Sequence, residues 1–171
     1  MSHVTQAPPL STLIKGLGLT PHVEGGHYLE TYRSAATCDP DDGRGNRSLL
    51  TSIYYLLSKD SPIGHFHKNH SDIVHYFHAG DAITYYLIFD DGHIETPVLG
   101  PDVSAGQTLQ LIVPGGVWKA SHLLDNGSAG YGLIGEAVAP GFDYQDMTLA
   151  DRETLQAQFP QHQALIKELT R

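Results

Sequence analysis

Gly64-His-Phe-His-Lys-Asn-His-Ser-Asp-Ile-Val-His-Tyr-Phe-His-Ala-Gly80 is the stretch on which the fold turns. Gly64–Lys68 and Asp72–His78 read as two strands, joined by the polar linker Lys68-Asn-His-Ser71 and closed by the turn signal Ala79-Gly-Asp81. Five of the chain's eleven histidines, His65, His67, His70, His75 and His78, fall within these strands and their linker. Working outward from here, the strand pattern continues from Arg47 to Pro140. The further candidates are Ser48–Leu57, Ala82–Phe89, His93–Leu99, Thr108–Val113, Val117–Leu124 and Tyr131–Ala139. Between them stand Ser61-Pro62, Asp90-Asp-Gly92, Gly100-Pro-Asp102, Pro114-Gly-Gly116 and Asp125-Asn-Gly127. Asp91-Gly92 and Asn126-Gly127 are strong hairpin signals. Many short strands at such spacing predict an all-β sandwich or barrel.

Both flanks change character. Leu10 to Leu19 reads as a short helix with Ser11 as its cap, ended by Gly16, Gly18 and Pro21. Gly25-Gly26 opens an extended run over His27–Arg33, and 36–46 is a loop by composition. Near the C-terminus, Thr148-Leu-Ala-Asp151 reads as a capping box. Leu155 and Phe159 follow at helical spacing, Pro160 stops that helix, and Ala164, Leu165 and Leu169 mark another. These helices are expected to cover a barrel face or an edge strand.

At 171 residues the chain fits one domain over 1–171, with a core barrel over about 22–142 and C-terminal helices over about 148–170. The formal charge of −9, from 19 acidic and 10 basic residues, repels phosphate backbones and anionic lipid heads. No nucleic-acid partner is therefore expected. No stretch of 18 apolar residues occurs, so no membrane span is expected. Met1–Pro9 lacks the basic-then-apolar pattern of a signal peptide, and the single cysteine, Cys38, suits a reducing compartment. A cytoplasmic location follows as an expectation.

Strand alternation places His65 and His67 on one face and Phe66 on the other. With Asp72 returning from the next strand, two imidazoles and a carboxylate offer a site for a divalent transition metal such as zinc, iron, manganese or nickel. The same residues also suit a wet polar strand face or a neutral hydrogen-bonded pair. Glu24, before Gly25-Gly26, either approaches a pocket or satisfies backbone donors. Tyr55 and Arg33 either fix a polar ligand or serve in packing and ion pairing. Glu136 shares a face with Ile134 and Val138, where a carboxylate is costly unless paired, so it is a candidate pocket acid. His75 and His78 lie on opposite faces, so at most one joins the site directly. Trp118 faces opposite to Lys119 and reads as core or dimer interface.

Gly64-His-Phe-His67 with Asp72 and Gly80, and Gly106 with Pro114-Gly-Gly116 and Lys119, resemble the two motifs of the cupins. Leu17-Gly-Leu-Thr-Pro-His-Val-Glu-Gly-Gly26, Glu30-Thr-Tyr-Arg-Ser34, Thr51-Ser-Ile-Tyr-Tyr-Leu-Leu57 and Val138-Ala-Pro-Gly-Phe142 are similar to the fifth cupin family, as are Val113-Pro-Gly-Gly-Val-Trp118 and Leu149-Ala-Asp-Arg-Glu153. The resemblance spans nearly the whole chain. It implies a double-stranded β-helix, or jelly-roll, barrel with a short N-terminal helix and one or two C-terminal helices, and a homodimer. It implies no established activity. The sequence departs from the pattern in three places. Asp72 stands where metal-binding cupins carry Glu, Ser71-Asp-Ile-Val-His75 lacks the family's Glu, and Lys119 stands where a metal-ligating His is usual. An ammonium there repels a dication and favours an anionic ligand instead.

The functional expectation is a small-molecule-binding cupin acting on a small polar or anionic metabolite by isomerase- or epimerase-like proton transfer. His67 would be the base, Asp72 its orienting acid, and Lys119 a catalytic cation. His65, Glu24, Arg33, Tyr55, Glu136 and His75 would bind substrate. The alternatives are a metal-dependent enzyme built on His65, His67 and Asp72, and a non-enzymatic binder or sensor.

Overall fold

The computed structural model describes residues 8–171. The reading of Met1–Pro9 as no signal peptide lies, for residues 1–7, outside the described residues.

The helix α1 (Leu10–Leu17) carries Leu10, Leu13, Ile14 and Leu17 at helical spacing, packed on Leu19, Leu56, Tyr131 and Leu133. Ser11 does not cap it. The Pro9 carbonyl receives the Thr12 and Leu13 N–H groups, which puts Ser11 inside the first turn. Gly18, at φ 67°, closes the helix in the left-handed conformation.

The strands of the N-terminal half are β1 (Thr20–Pro21), β2 (His27–Arg33), β3 (Thr37–Cys38), β4 (Arg47–Ser48), β5 (Thr51–Ser58), β6 (Ile63–Asn69) and β7 (Asp72–Gly80). Those that follow are β8 (Ile83–Ile88), β9 (Ile94–Glu95), β10 (Val98–Leu99), β11 (Gln110–Val113), β12 (Trp118–Leu123), β13 (Tyr131–Ala139) and β14 (Met147–Leu149). They form two large antiparallel sheets. One has the order β1-β2-β5-β13-β7-β11, the other β10-β8-β12-β6-β14 with β9 beside β8. From β5 to β8, and again from β11 to β13, successive strands switch sheets, which is the winding of a jelly roll. The inward faces meet in a core of Tyr55, Leu57, Ile83, Tyr85, Leu87 and Ile134.

Four predicted elements need correction. His93–Leu99 is broken into β9 and β10, because Pro97 has no N–H for a ladder; its carbonyl still receives the Tyr85 N–H. The strand expected from Ser48 starts at Thr51, and the loop over 36–46 is held by β3 pairing with β4. Thr148 caps nothing. It lies in β14, opposite Lys68, and Asp151 caps α2 (Arg152–Gln158) by accepting the Thr154 N–H at 2.9 Å.

Leu155 and Phe159 of that region, with Ile166 of α3 (Gln163–Glu168) and Leu169, bury Phe66, Ile88, Trp118 and Ala120 on the outer face of the second sheet. Trp118 is thus core. Ala164 is exposed, and Ile166 takes the place expected of it. No helix among the described residues is long and apolar enough to cross a membrane.

Candidate functional site

A β-bulge decides which histidines meet. Across the β6–β12 ladder, Lys119 pairs with His67 and Ser121 with Gly64, so Ala120 alone is opposed by His65 and Phe66. The extra residue cancels the parity argument for β6. Gly64 faces inward, close to Tyr55 and Ser121. His67 also faces inward and is buried, whereas Phe66 points out beneath the helices. His65 is left half-buried, outside the cavity described below.

The bulge also frees two backbone donors. The His65 N–H bonds the Glu24 carbonyl at 2.6 Å, and the Phe66 N–H bonds the Leu169 carbonyl at 2.9 Å. One irregularity therefore fixes both the Glu24 loop and the C-terminal segment against β6.

Glu24 reaches the interior because Gly25 and Gly26 let the loop press onto the sheets. Gly25 has φ 105°, and a Cβ there would collide with the Ile63 carbonyl. Tyr55 donates its hydroxyl to the Gly25 carbonyl at 2.8 Å. Ser61 Oγ accepts the Gly26 N–H at 2.8 Å. Glu24 Oε2 then lies 2.8 Å from His67 Nε2, with both side chains buried.

Hydrogen-bond logic assigns the proton between them. His67 Nδ1 is 2.8 Å from the His65 carbonyl oxygen, which only accepts, so Nδ1 carries a proton. Nε2 faces a carboxylate, so one proton is shared there too. Burial pushes the Glu24 carboxyl up, but the charge and hydrogen bond of His67, with His22 and Lys119, hold it down to about 2. Glu24 is therefore ionised at neutral pH, and its Oε2 accepts the hydrogen bond from His67 Nε2. His22 Nδ1 accepts the Glu24 N–H at 3.3 Å, and burial lowers its pKa.

Next to this pair lies a second buried group. Lys119 Nζ is 2.9 Å from His75 Nε2. An ammonium only donates, so this nitrogen accepts and the ring is neutral. Burial and then Lys119 push His75 well below its usual value. Glu136 Oε2 is 3.7 Å from Lys119 Nζ, beyond hydrogen-bond reach. Burial raises the Glu136 carboxyl, against the pull of Lys119.

A cavity of about 430 Å³ opens onto these residues. Glu24, His67, Asn69, Ile73, Glu136 and Val138 are its buried lining. Its more exposed part is aromatic. Tyr28 and Tyr144 hydroxyls are 3.3 Å apart, Phe142 meets Tyr144 edge-on at 5.0 Å, and His22 meets Tyr28 edge-on at 4.5 Å. Arg33 stands at this rim, held by Glu30 at 2.9 and 2.7 Å and donating to the Phe142 carbonyl at 3.1 Å.

Of the expected site residues, His67, Glu24 and Glu136 come together, with Lys119 and His75 behind them and Arg33 at the rim. Three do not. Asp72 is exposed, and its carboxylate accepts the Gly115 N–H at 2.8 Å, fastening the turn before β12; the inward position is the next residue, Ile73. His65 is displaced by the bulge. Tyr55 orders the glycine loop instead of facing the cavity. The role expected of Asp72 toward His67 falls to Glu24. Lys119 is no free cation for an anion either, being engaged by His75 and Glu136 and absent from the lining of this cavity.

The reading missed Asn69, His22, Tyr28, Phe142 and Tyr144. Asn69 follows His67 by one strand step and could have been found by parity; Phe142 and Tyr144, in an irregular segment, gave no periodic signal.

The metal set His65, His67 and Asp72 does not converge. Around His67 stand a hydrocarbon, Ile73, and an ammonium, Lys119, and no three His, Cys, Asp or Glu side chains among the described residues are placed to hold an ion. These residues do not fit such a metal.

Comparison with known proteins gives this geometry its relatives. The family described as Cupin superfamily (DUF985) matches residues 11–150. The uncharacterized protein YML079W of Saccharomyces cerevisiae is 42% identical over 158 residues, covering 85% of this chain and 78% of that one. A hypothetical protein from Leishmania major superposes with a TM-score of 0.90 at 35% identity, over 95% of this chain and 99% of that one. Oxalate decarboxylase from Bacillus subtilis shares the fold, with a TM-score of 0.53 at 14% identity over 87% of this chain and 36% of that one.

Proposed function

The chain belongs to the cupin family described as Cupin superfamily (DUF985), and on that premise we propose that it binds a small polar metabolite in the cavity and transfers a proton on it through His67. The observation carrying this is the buried His67–Glu24 contact of 2.8 Å on the cavity lining. His67 Nδ1 is tied to a carbonyl, so Nε2 is the position that exchanges its proton. Carrying it, His67 is an acid stabilised by ionised Glu24. Having delivered it to a substrate oxygen, the neutral ring is a base that takes a proton from a neighbouring position. That alternation is isomerase- or epimerase-like chemistry.

The test is deuterium uptake from D2O by a panel of nucleotide sugars, keto acids, hydroxy acids, amino sugars and amino ketones. At least one member exchanges with the wild type, and His67→Ala slows that exchange by about 10²- to 10⁴-fold. No exchange in any member, or exchange indifferent to His67→Ala, ends the proposal.

A non-enzymatic binder is the second reading, favoured by the engagement of both His67 ring nitrogens and of Lys119 within the protein. A ligand that raises the melting temperature but exchanges no proton would select it. The homodimer implied by the family resemblance stands as a proposal, tested by sedimentation velocity.

A further inference from the structure

We propose that the cavity selects a small organic amine, bound as its ammonium ion, over neutral or anionic molecules of the same shape. This rests on the reading above that the cavity is a ligand site.

The inference comes from a census of donors and acceptors. The charged donors near the cavity already have partners, while His22, Asn69 and the Tyr28–Tyr144 pair keep neutral donors to spare. Arg33 is forked onto Glu30 and reaches the Phe142 carbonyl. His67 serves the His65 carbonyl and Glu24. Lys119 serves His75. Acceptors remain. Asn69 is 9% exposed and lines the cavity, and its Oδ1 is buried with no hydrogen-bond partner. Glu136 is 6% exposed, and among the described residues no donor lies within hydrogen-bond distance of its carboxylate. His75 Nε2 is 3.5 Å from Glu136 Oε1, but that nitrogen is itself an acceptor.

Charge agrees. Glu24, Glu30, Glu136 and Asp143 line the cavity against Arg33 and the His67 ring. Glu136 has the Lys119 charge at 3.7 Å but no hydrogen-bond donor, so its desolvation is only partly offset, and a ligand ammonium supplies the missing charge-assisted bonds. The aromatic rim of Tyr28, Phe142 and Tyr144 adds ring faces and edges for the ligand's hydrocarbon body, and ring faces also attract cations.

Three probes of one shape test this by calorimetric titration at pH 7: 2-phenylethylamine, 2-phenylethanol and 3-phenylpropanoate. The amine binds about ten- to a hundredfold tighter than the alcohol, and the anion binds weakest. Glu136→Gln brings amine and alcohol to within about threefold of each other. Asn69→Leu, a change of similar shape, weakens the amine as well, so the result does not depend on one variant folding. The proposal is overturned if the anion binds as well as the amine, if none of the three binds, or if the amine's advantage survives in Glu136→Gln. Amine binding without deuterium exchange on any panel member leaves this inference standing and ends the proton-transfer reading. Exchange on an anionic panel member with no amine binding does the reverse.

Discussion

Ile134 and Glu136 are neighbours on the same face of β13, yet they belong to two different environments. Around Ile134 the sheets close on Leu57, Ile83, Tyr85 and Leu87, and the space is filled with hydrocarbon and aromatic rings. Around Glu136 the same sheets bring together His75, Lys119, His67 and Glu24 beside a cavity of about 430 Å³. The apolar region is held by close packing, where each methylene contributes through burial. In the polar region each buried charge needs a partner, so removing one group strands another. One region is held by packing and the other by charge compensation, and it is at the second that the proposed ligand would bind.

The comparison can be broken most severely at Lys119. Lys119→Ala leaves Glu136 without its nearest cation and His75 without its donor, and should destabilise by about 3–5 kcal/mol in urea unfolding. A loss below about 1 kcal/mol would mean that the polar region does not depend on charge compensation.

Leu57→Ala, in the apolar region, should lose about 2–5 kcal/mol through transfer and cavity effects. Its ligand response should match the wild type, which a ligand-induced thermal shift can check. If that response disappears, the two regions are not separable.

Gly25→Ala sharpens the contrast. It should lose about 1–3 kcal/mol from backbone strain at φ 105° and displace Glu24 from His67. The expected signature is loss of ligand binding at a temperature where the circular dichroism is still native. Retained affinity would show that the loop does not position Glu24.

The smallest effect is in the pH dependence of stability. His75 is neutral in the fold and held well below 6.5, by burial and then by Lys119. Below pH 6.5 the unfolded chain takes up a proton that the folded ring refuses, so stability falls as pH drops from there toward the folded value. One such group contributes at most about 1.4 kcal/mol per pH unit. His75→Gln should flatten the slope of unfolding free energy between pH 6.5 and 5. An unchanged slope would place the proton uptake elsewhere.

The strands were legible because their turn signals and alternation are local properties of the chain. Alternation placed Glu136 with Ile134 and Val138, Lys119 opposite Trp118, and His75 opposite His78. It failed at β6, where the bulge spends two residues against one and turns His65 away from His67. Asp72 entered the expected site through the motif, and alternation along β7 from the inward His75 turns it outward and leaves Ile73 on the inward side. Thr148 and Ser11 had the chemistry of caps but were taken up by a strand pair and a helix interior.

The sequence by itself determined the wound two-sheet barrel and the helices at either flank, and made His67, Glu24 and Glu136 candidates for one site, because periodicity and glycine placement act over a few residues. Only the tertiary structure decided that Glu24 rather than Asp72 holds His67, and that Lys119 is bound up with His75 and Glu136. Those pairings join different strands and loops, and the ladder register, bulge and loop path that bring them together are settled by packing across the whole barrel.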